Sequence, residues 1–360
     1  MATAAQWMAR ALALAEQGRY STHPNPRVGC VIVRDGRVVG EGAHLRAGEP
    51  HAEVFALRAA GDAARDAEVF VTLEPCNHHG RTPPCVDALI AAGVSRVWAA
   101  MSDPNPLVAG QGLARLQAAG IETQVGLMQP EAEQLNRGFL SRMRRQRPFV
   151  TLKMAASLDG RTAMASGESQ WITGPAARAD VHRLRAEAGA VLTSSATVLA
   201  DDPSLSVRDF IAEGLRQPDR IVLDSRAQVP TSAKVWAEGA RRFWLTSALP
   251  SLIPAGVEHL HVEADASGSI SLPLALAALA QQQVNHLLVE CGPRLAGGFL
   301  KAGLVDELVL YIAPSLLGHE ARALALLPGL EHLNQRIQLQ YTDIQILGDD
   351  LRVTATLKDR

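Results

Sequence analysis

A chain of 360 residues exceeds what one hydrophobic core ordinarily holds, so two domains are expected. A hydrophobic content of 47% with 20% charged residues belongs to a folded globular protein, and a net charge of -2 gives no broad field for holding a phosphate polymer. Nucleic acid and membrane are not expected as partners: no apolar run approaches the roughly 20 residues of a membrane helix, and aromatic residues are 4% of the chain. Four cysteines, Cys30, Cys76, Cys85 and Cys291, are too few for a disulfide framework and point to a reducing, cytoplasmic setting.

Taken in chain order, Met1 to Glu16 carries apolar residues at helical spacing interrupted by Arg10, the pattern of a first helix and not of a signal peptide. Val28 to Val33 and Arg37 to Gly42 read as strands joined through Asp35-Gly36, a pair that tolerates the positive φ angles of a type I′ turn. A helix over Ala52 to Ala60 follows, then strand, helix, strand, helix and strand over 67–73, 84–92, 95–100, 110–119 and 121–125, giving a five-stranded sheet. A polar helix over Glu131 to Arg145 ends at Arg147-Pro148, where proline stops it, and the domain boundary is placed between 146 and 147. Its cluster of arginines reads as a solvated linker.

A second α/β pattern starts afresh at Phe149 to Ala155 (strand), Pro175 to Ala188 (helix) and Ala190 to Thr193 (strand). Further strands are expected over 220–223, 242–246, 286–290, 307–313, 338–347 and 351–356, the last two forming a hairpin around Gly348-Asp349-Asp350. Helices are expected over 272–282 and 295–302.

The strongest constellation is His51-Ala52-Glu53, Pro75-Cys76 and Pro84-Cys85, at the openings of two successive helices. One imidazole and two thiolates are the three protein ligands of a catalytic zinc that keeps its fourth position for water. Cys85 stands where a helix dipole favours the thiolate. Glu53, two residues from His51, suits a proton carrier better than a ligand, as in zinc deaminases, where an activated water displaces an exocyclic amine. A closed structural site completed by His78 or His79 is the duller alternative; it would leave Glu53 without a purpose. The zinc-deaminase signature has two residues between its cysteines, whereas eight, Asn77 to Pro84, stand here. Cys30 and Cys291 lie in apolar surroundings and are read as core residues.

These motifs, with Pro24-Asn25-Pro26-Arg27-Val28-Gly29 and the run from Glu74 to Cys85, resemble the deaminase half of the bifunctional riboflavin-pathway deaminase-reductases, whose eight-residue insert this chain shares. Lys153 to Arg161, Gly167 to Thr173, Thr197 to Pro203 and Glu290 to Gly298 resemble the reductase half. The resemblance implies a cytidine-deaminase-like α/β/α sandwich over 1–146 and a dihydrofolate-reductase-like α/β domain over 147–360. The reaction implied is deamination of a phosphoribosylamino-diaminopyrimidine, then reduction of its ribosyl chain, with Zn2+ and NADPH as cofactors. It places the substrate's ribose phosphate in the first half on Asn25, His44, Arg81 and Thr82, of which Arg81 and Thr82 also suit an anion by their chemistry. It places the cofactor on Ala155, Trp171, Thr197, Asp201, Ser225 and the run Gly292, Pro293, Arg294, Leu295, Ala296, Gly297 and Gly298, and the second substrate on Ser169, Arg185, Leu205, Arg208 and Glu290. A glycine-rich turn opening a helix at Gly292 is by itself a phosphate signal, though it lacks the full dinucleotide fingerprint. Asp201 or Glu290 is expected to steer protons. A homo-oligomer, first of all a dimer, is the expected assembly. The competing readings are a nucleic-acid or free-nucleotide deaminase with an accessory nucleotide-binding domain, and a nucleotide sensor without catalysis.

Overall fold

Why the first forty residues fold as they do is visible at Asp35 and Gly36, whose φ angles of 51° and 70° make the tight turn between two antiparallel strands. The computed structural model describes residues 3–78, 83–105 and 109–358. The chain forms two units, Met1–Gln146 with Ala212–Leu215, and Arg147–Ile211 with Arg216–Arg360.

In the first unit, α1 (Ala4–Ala15) starts at a capping box between Thr3 and Gln6, followed by β1 (Gly29–Arg34), β2 (Arg37–Ala43), α2 (Ala52–Ala60), β3 (Glu68–Val71), α3 (Cys85–Ala92), β4 (Arg96–Ala99), α4 (Gln111–Ala118), β5 (Glu122–Val125), α5 (Gln129–Leu135) and α6 (Arg137–Arg145). The sheet runs β2-β1-β3-β4-β5, with β1 antiparallel to β2 and β3, and β3, β4 and β5 mutually parallel. Cys30, Val31, Ile32, Val69 and Val71 are wholly buried at its centre. A Cβ at Gly42 would collide with the Ala52 carbonyl, so α2 lies backbone-close on β2 at the end that bears Glu53. The single helix expected over 131–145 is two, broken at Asn136. The buried Asn136 amide pairs with the backbone of Arg27, accepting from its N–H at 2.8 Å and donating to its carbonyl at 3.0 Å, so a partner 109 positions away decides the break.

The second unit contains β6 (Phe149–Ser157), β7 (Arg161–Ala163), α7 (Pro175–Ala188), β8 (Ala190–Ser194), α8 (Ser195–Asp201), β9 (Asp219–Leu223), β10 (Arg242–Thr246), β11 (Glu258–His261), α9 (Leu272–Gln281), β12 (His286–Glu290), α10 (Pro293–Lys301), β13 (Glu307–Ala313), β14 (Arg322–Ala323), β15 (Leu339–Leu347) and β16 (Asp350–Leu357). Its nine-stranded sheet has the order β11-β10-β9-β8-β12-β6-β13-β16-β15. The strands are parallel from β11 to β13 and end in the antiparallel β16-β15 hairpin. The inner parallel strands are largely apolar and buried, as strands covered on both faces are, whereas the edge strand β11 is polar and partly exposed.

Helix α8, edge strand β11 and the small β7-β14 ribbon carry no sequence pattern of their own. Helix α10 begins two residues before its expected start, with Gly292 as its cap and Pro293 at its first position. Cys30 is a core residue, but Cys291 is only partly buried and lines a cavity. Among the described residues, no helix is long and apolar enough to cross a membrane.

Candidate active site

Both helices of the first unit's cluster start where its chemistry sits. His51 is the residue before the first turn of α2, and Cys85 opens α3 behind Pro84. His51 Nδ1 lies 3.5 Å from Cys76 Sγ and 3.3 Å from Cys85 Sγ, and one ligand atom from each of the three residues lies within 4.8 Å of the others. The Cys85 backbone N–H donates to Cys76 Sγ at 3.3 Å. Hydrogen bonds from Cys85 and, against burial, from His51 pull the Cys76 thiol down to about 4, while the same contact with Cys76, together with burial, pushes Cys85 up.

Glu53 is buried beside this cluster, and among the described residues its Oε2 has no hydrogen-bond partner. Burial raises its pKa, with His51 opposing. An orphaned buried carboxylate oxygen is costly unless something meets it. A nitrogen and two sulfurs with that oxygen beside them fit a zinc with one position open to water.

Glu74, two residues before Cys76, anchors the segment that carries it. The Glu74 carboxylate accepts from the backbone N–H groups of Asp103, Gly110 and Gly112 at 3.0 Å each and Leu113 at 3.4 Å, tying the loop before α4 to the end of β3. Sequence reasoning passed over Glu74. Of the expected phosphate residues, Arg81 and Thr82 lie outside the described residues, as does His79. His44 is buried with both ring nitrogens engaged: Nδ1 donates to the Pro50 carbonyl at 3.1 Å, and Nε2, which must then accept, takes the Asn25 side-chain N–H at 3.0 Å. Burial lowers its pKa, in keeping with the neutral ring. His44 therefore fixes Asn25.

In the second unit, a cavity of about 1970 Å³ opens along the carboxyl ends of β6, β8, β9 and β12. Ala155, Ser169, Trp171, Arg185, Thr197, Asp201, Leu205, Arg208, Ser225, Glu290, Gly292, Pro293, Arg294, Leu295 and Gly298 line it. Ala296 and Gly297 do not: Ala296 is wholly buried in the core, and a Cβ at Gly297 would collide with the Leu326 carbonyl. Strands β8 and β12 are neighbours, and each runs straight into a helix, so the starts of α8 and α10 stand side by side. Adjacent helix starts at strand ends, where the strand order reverses, are where open α/β sheets receive nucleotide phosphates. The volume and this paired anion site fit a dinucleotide with a second ligand beside it.

Glu290 is the charged centre of that cavity. Arg185 grips it through Nε to Oε1 at 2.5 Å and Nη2 to Oε2 at 3.0 Å, and Lys153 Nζ stands 3.7 Å from Oε2. Burial pushes Glu290 up, but Arg185 and Lys153 outweigh it and hold the carboxyl at about 2. Lys153 and His182 also line the cavity and were missed in the sequence. A lysine inside an apolar strand, and a histidine one turn before Arg185, were the available signals.

Residues 1–101 match the cytidine and deoxycytidylate deaminase zinc-binding region, and residues 148–353 match the RibD C-terminal domain. The riboflavin biosynthesis protein RibD of Escherichia coli is 57% identical over 356 residues, covering 96% of this chain and 97% of its own. The chain belongs to the RibD family. The RibD of Haemophilus influenzae is 49% identical, with 98% of this chain and 97% of that protein covered. The solved RibD of Acinetobacter baumannii superposes with a TM-score of 0.92 at 45% identity, covering 98% of each chain. As a RibD, this chain is a zinc-dependent deaminase and NADPH-dependent reductase of riboflavin biosynthesis, with the two-domain α/β architecture of that family.

Proposed function

We propose that the first unit deaminates 2,5-diamino-6-(5-phosphoribosylamino)pyrimidin-4-one, and that the second reduces the ribosyl chain of the product to give 5-amino-6-(5-phosphoribitylamino)uracil. Support comes from a solved Thermotoga maritima relative, 32% identical over 98% of both chains with a TM-score of 0.87, which is described as a diaminohydroxyphosphoribosylaminopyrimidine deaminase and 5-amino-6-(5-phosphoribosylamino)uracil reductase. The observation that carries the first step is Glu53 Oε2, without a hydrogen-bond partner among the described residues, beside His51, Cys76 and Cys85.

A zinc ion held by those three residues supplies Lewis-acid activation of a water. Glu53 takes up the proton released as the water adds to the ring and delivers it to the departing amine, a role helped by its raised pKa. Asn25, held by His44, and Arg81 and Thr82 bind the ribose phosphate. Glu53→Gln keeps the shape and removes the proton carrier. Ammonia release should fall at least a hundredfold, with zinc still bound by elemental analysis; release at the normal rate would overturn the role.

In the second unit, NADPH supplies a hydride when bound. Ala155, Trp171, Thr197, Asp201, Ser225 and the start of α10 hold it, and Ser169, Arg185, Leu205, Arg208 and Glu290 hold the substrate. Arg185 is neutralised by Glu290 and donates to the Ser206 carbonyl at 3.0 Å, whereas the Arg208 guanidinium meets the neutral Ser204 hydroxyl at 3.2 Å, so Arg208 is the guanidinium whose charge is left for the phosphate. Glu290, ionised, accepts a hydrogen bond from the sugar chain, and Lys153 is the neighbouring group that carries a proton.

The assembly is a homodimer. Strand β15 is one of the two edges of the nine-stranded sheet and exposes Tyr341, Ile344 and Ile346, 68%, 57% and 75% accessible, a surface a second copy would cover.

A further inference from the structure

The loop between α8 and β9 carries Leu205 and Arg208, and three side chains grip three successive residues of its backbone. Arg185 Nη1 donates to the Ser206 carbonyl at 3.0 Å. The Gln217 amide brackets Val207, accepting from its N–H and donating to its carbonyl at 2.9 Å each. The backbone N–H of Arg208 donates to His182 Nδ1 at 3.4 Å. Leu205, buried at a φ of 53°, closes the loop's inner end in a conformation that a leucine does not adopt unless its surroundings impose it.

His182 stands on α7 one turn before Arg185, and both line the cavity. Because Nδ1 accepts, the neutral ring carries its proton on Nε2, 3.8 Å from Asp209 Oδ2. Burial, Arg185 and Arg208 lower its pKa against Asp209 and Glu290, which keeps Nδ1 free to accept.

We propose that His182 is a positioning residue of the reductase: its unprotonated Nδ1 holds the backbone of Arg208 so that this side chain meets the phosphate end of the substrate. The inference rests on the reading of Arg208 as the phosphate grip. Its alternative within the same pocket is that His182 Nε2–H touches the phosphate itself, and the two nitrogens can be told apart by amide replacements. An asparagine places its carbonyl oxygen near Nδ1, whereas a glutamine places its amide near Nε2.

The test is steady-state kinetics of the reductase step, using the deaminated substrate, for His182→Asn, His182→Gln, His182→Leu and Arg208→Ala, with thermal unfolding midpoints as the control for folding. The leucine and glutamine variants should raise KM about tenfold, the worth of one hydrogen bond, with kcat little changed, and the asparagine variant should restore KM. Rescue by glutamine instead of asparagine, or equal KM in both amide variants, overturns the proposal whatever the leucine variant does. An Arg208→Ala enzyme with wild-type KM overturns the underlying reading of the loop instead, so the two failures are distinct.

Discussion

Arg185 and Glu290 meet through two parallel N–H···O contacts, 2.5 and 3.0 Å long, with both side chains about one-eighth exposed. A pair so enclosed is costly to break from one side, because the survivor is left as an uncompensated buried charge. Arg185→Ala should therefore lower the thermal midpoint of the second unit as well as its reductase activity, measured by calorimetry and absorbance, whereas Arg185→Ala with unchanged stability would mean the pair contributes little.

The same pair sets a pH dependence. Glu290 is held at about 2, below the carboxylate's value of about 4.5, so it binds fewer protons in the folded chain than in the unfolded one. Its contribution is fully present above pH 4.5 and is lost as pH falls through 2. The stability gap between the native chain and Glu290→Gln, read by denaturant titration, should narrow steadily over that window and be flat above pH 6.

Glu74 predicts a defect without touching any metal ligand. Its carboxylate satisfies four backbone N–H groups, and an amide in its place offers one accepting oxygen where there were two. Glu74→Gln should destabilise the first unit by about 1 to 3 kcal/mol and slow ammonia release through a loosened Cys76. Equal urea midpoints for the two forms would remove this explanation.

Zinc removal should separate the halves. Cys76→Ser, or prolonged chelation, should abolish ammonia release while leaving NADPH oxidation intact when the deaminated substrate is supplied. Loss of both reactions would assign the metal a role outside the first unit's chemistry.

The free edge at β15 gives a test of assembly. Ile346→Asp should shift sedimentation of the native protein from dimer to monomer, since a charge in an edge strand opposes pairing. A species of one size in both forms would place the contact elsewhere.

What could be read in the sequence divides by range. His51 and Cys85 were legible because each stands at a helix start, where neighbours in sequence dictate geometry, and Cys76 because it follows Pro75 at the spacing a zinc site needs. The inner parallel strands, β3 and β4 in the first unit and β6, β8, β9, β10, β12 and β13 in the second, were legible as largely apolar runs, whereas the parallel edge strand β11 was not. Illegible were features fixed by distant partners: the Asn136 break, decided by Arg27; Glu74, whose acceptors serve residues up to 39 positions away; and Lys153, whose role depends on Glu290 across the β6-β12 pairing. His44 was read as a phosphate contact, but its buried ring spends both nitrogens on Pro50 and Asn25. Helix α8 escaped notice because Ser195, Ala196 and Thr197 carry little helical pattern and its start depends on Ser194 accepting from the Thr197 N–H.

The central claim is that one chain performs two separable reactions in sequence, and the direct measurement is to feed the purified protein the diaminopyrimidine phosphate and follow ammonia and NADPH absorbance separately. Ammonia should appear in the absence of NADPH, and adding NADPH afterwards should produce oxidation equal in amount to the ammonia released. Oxidation of NADPH with no ammonia formed would contradict the assignment of His51, Cys76, Cys85 and Glu53 to the first step.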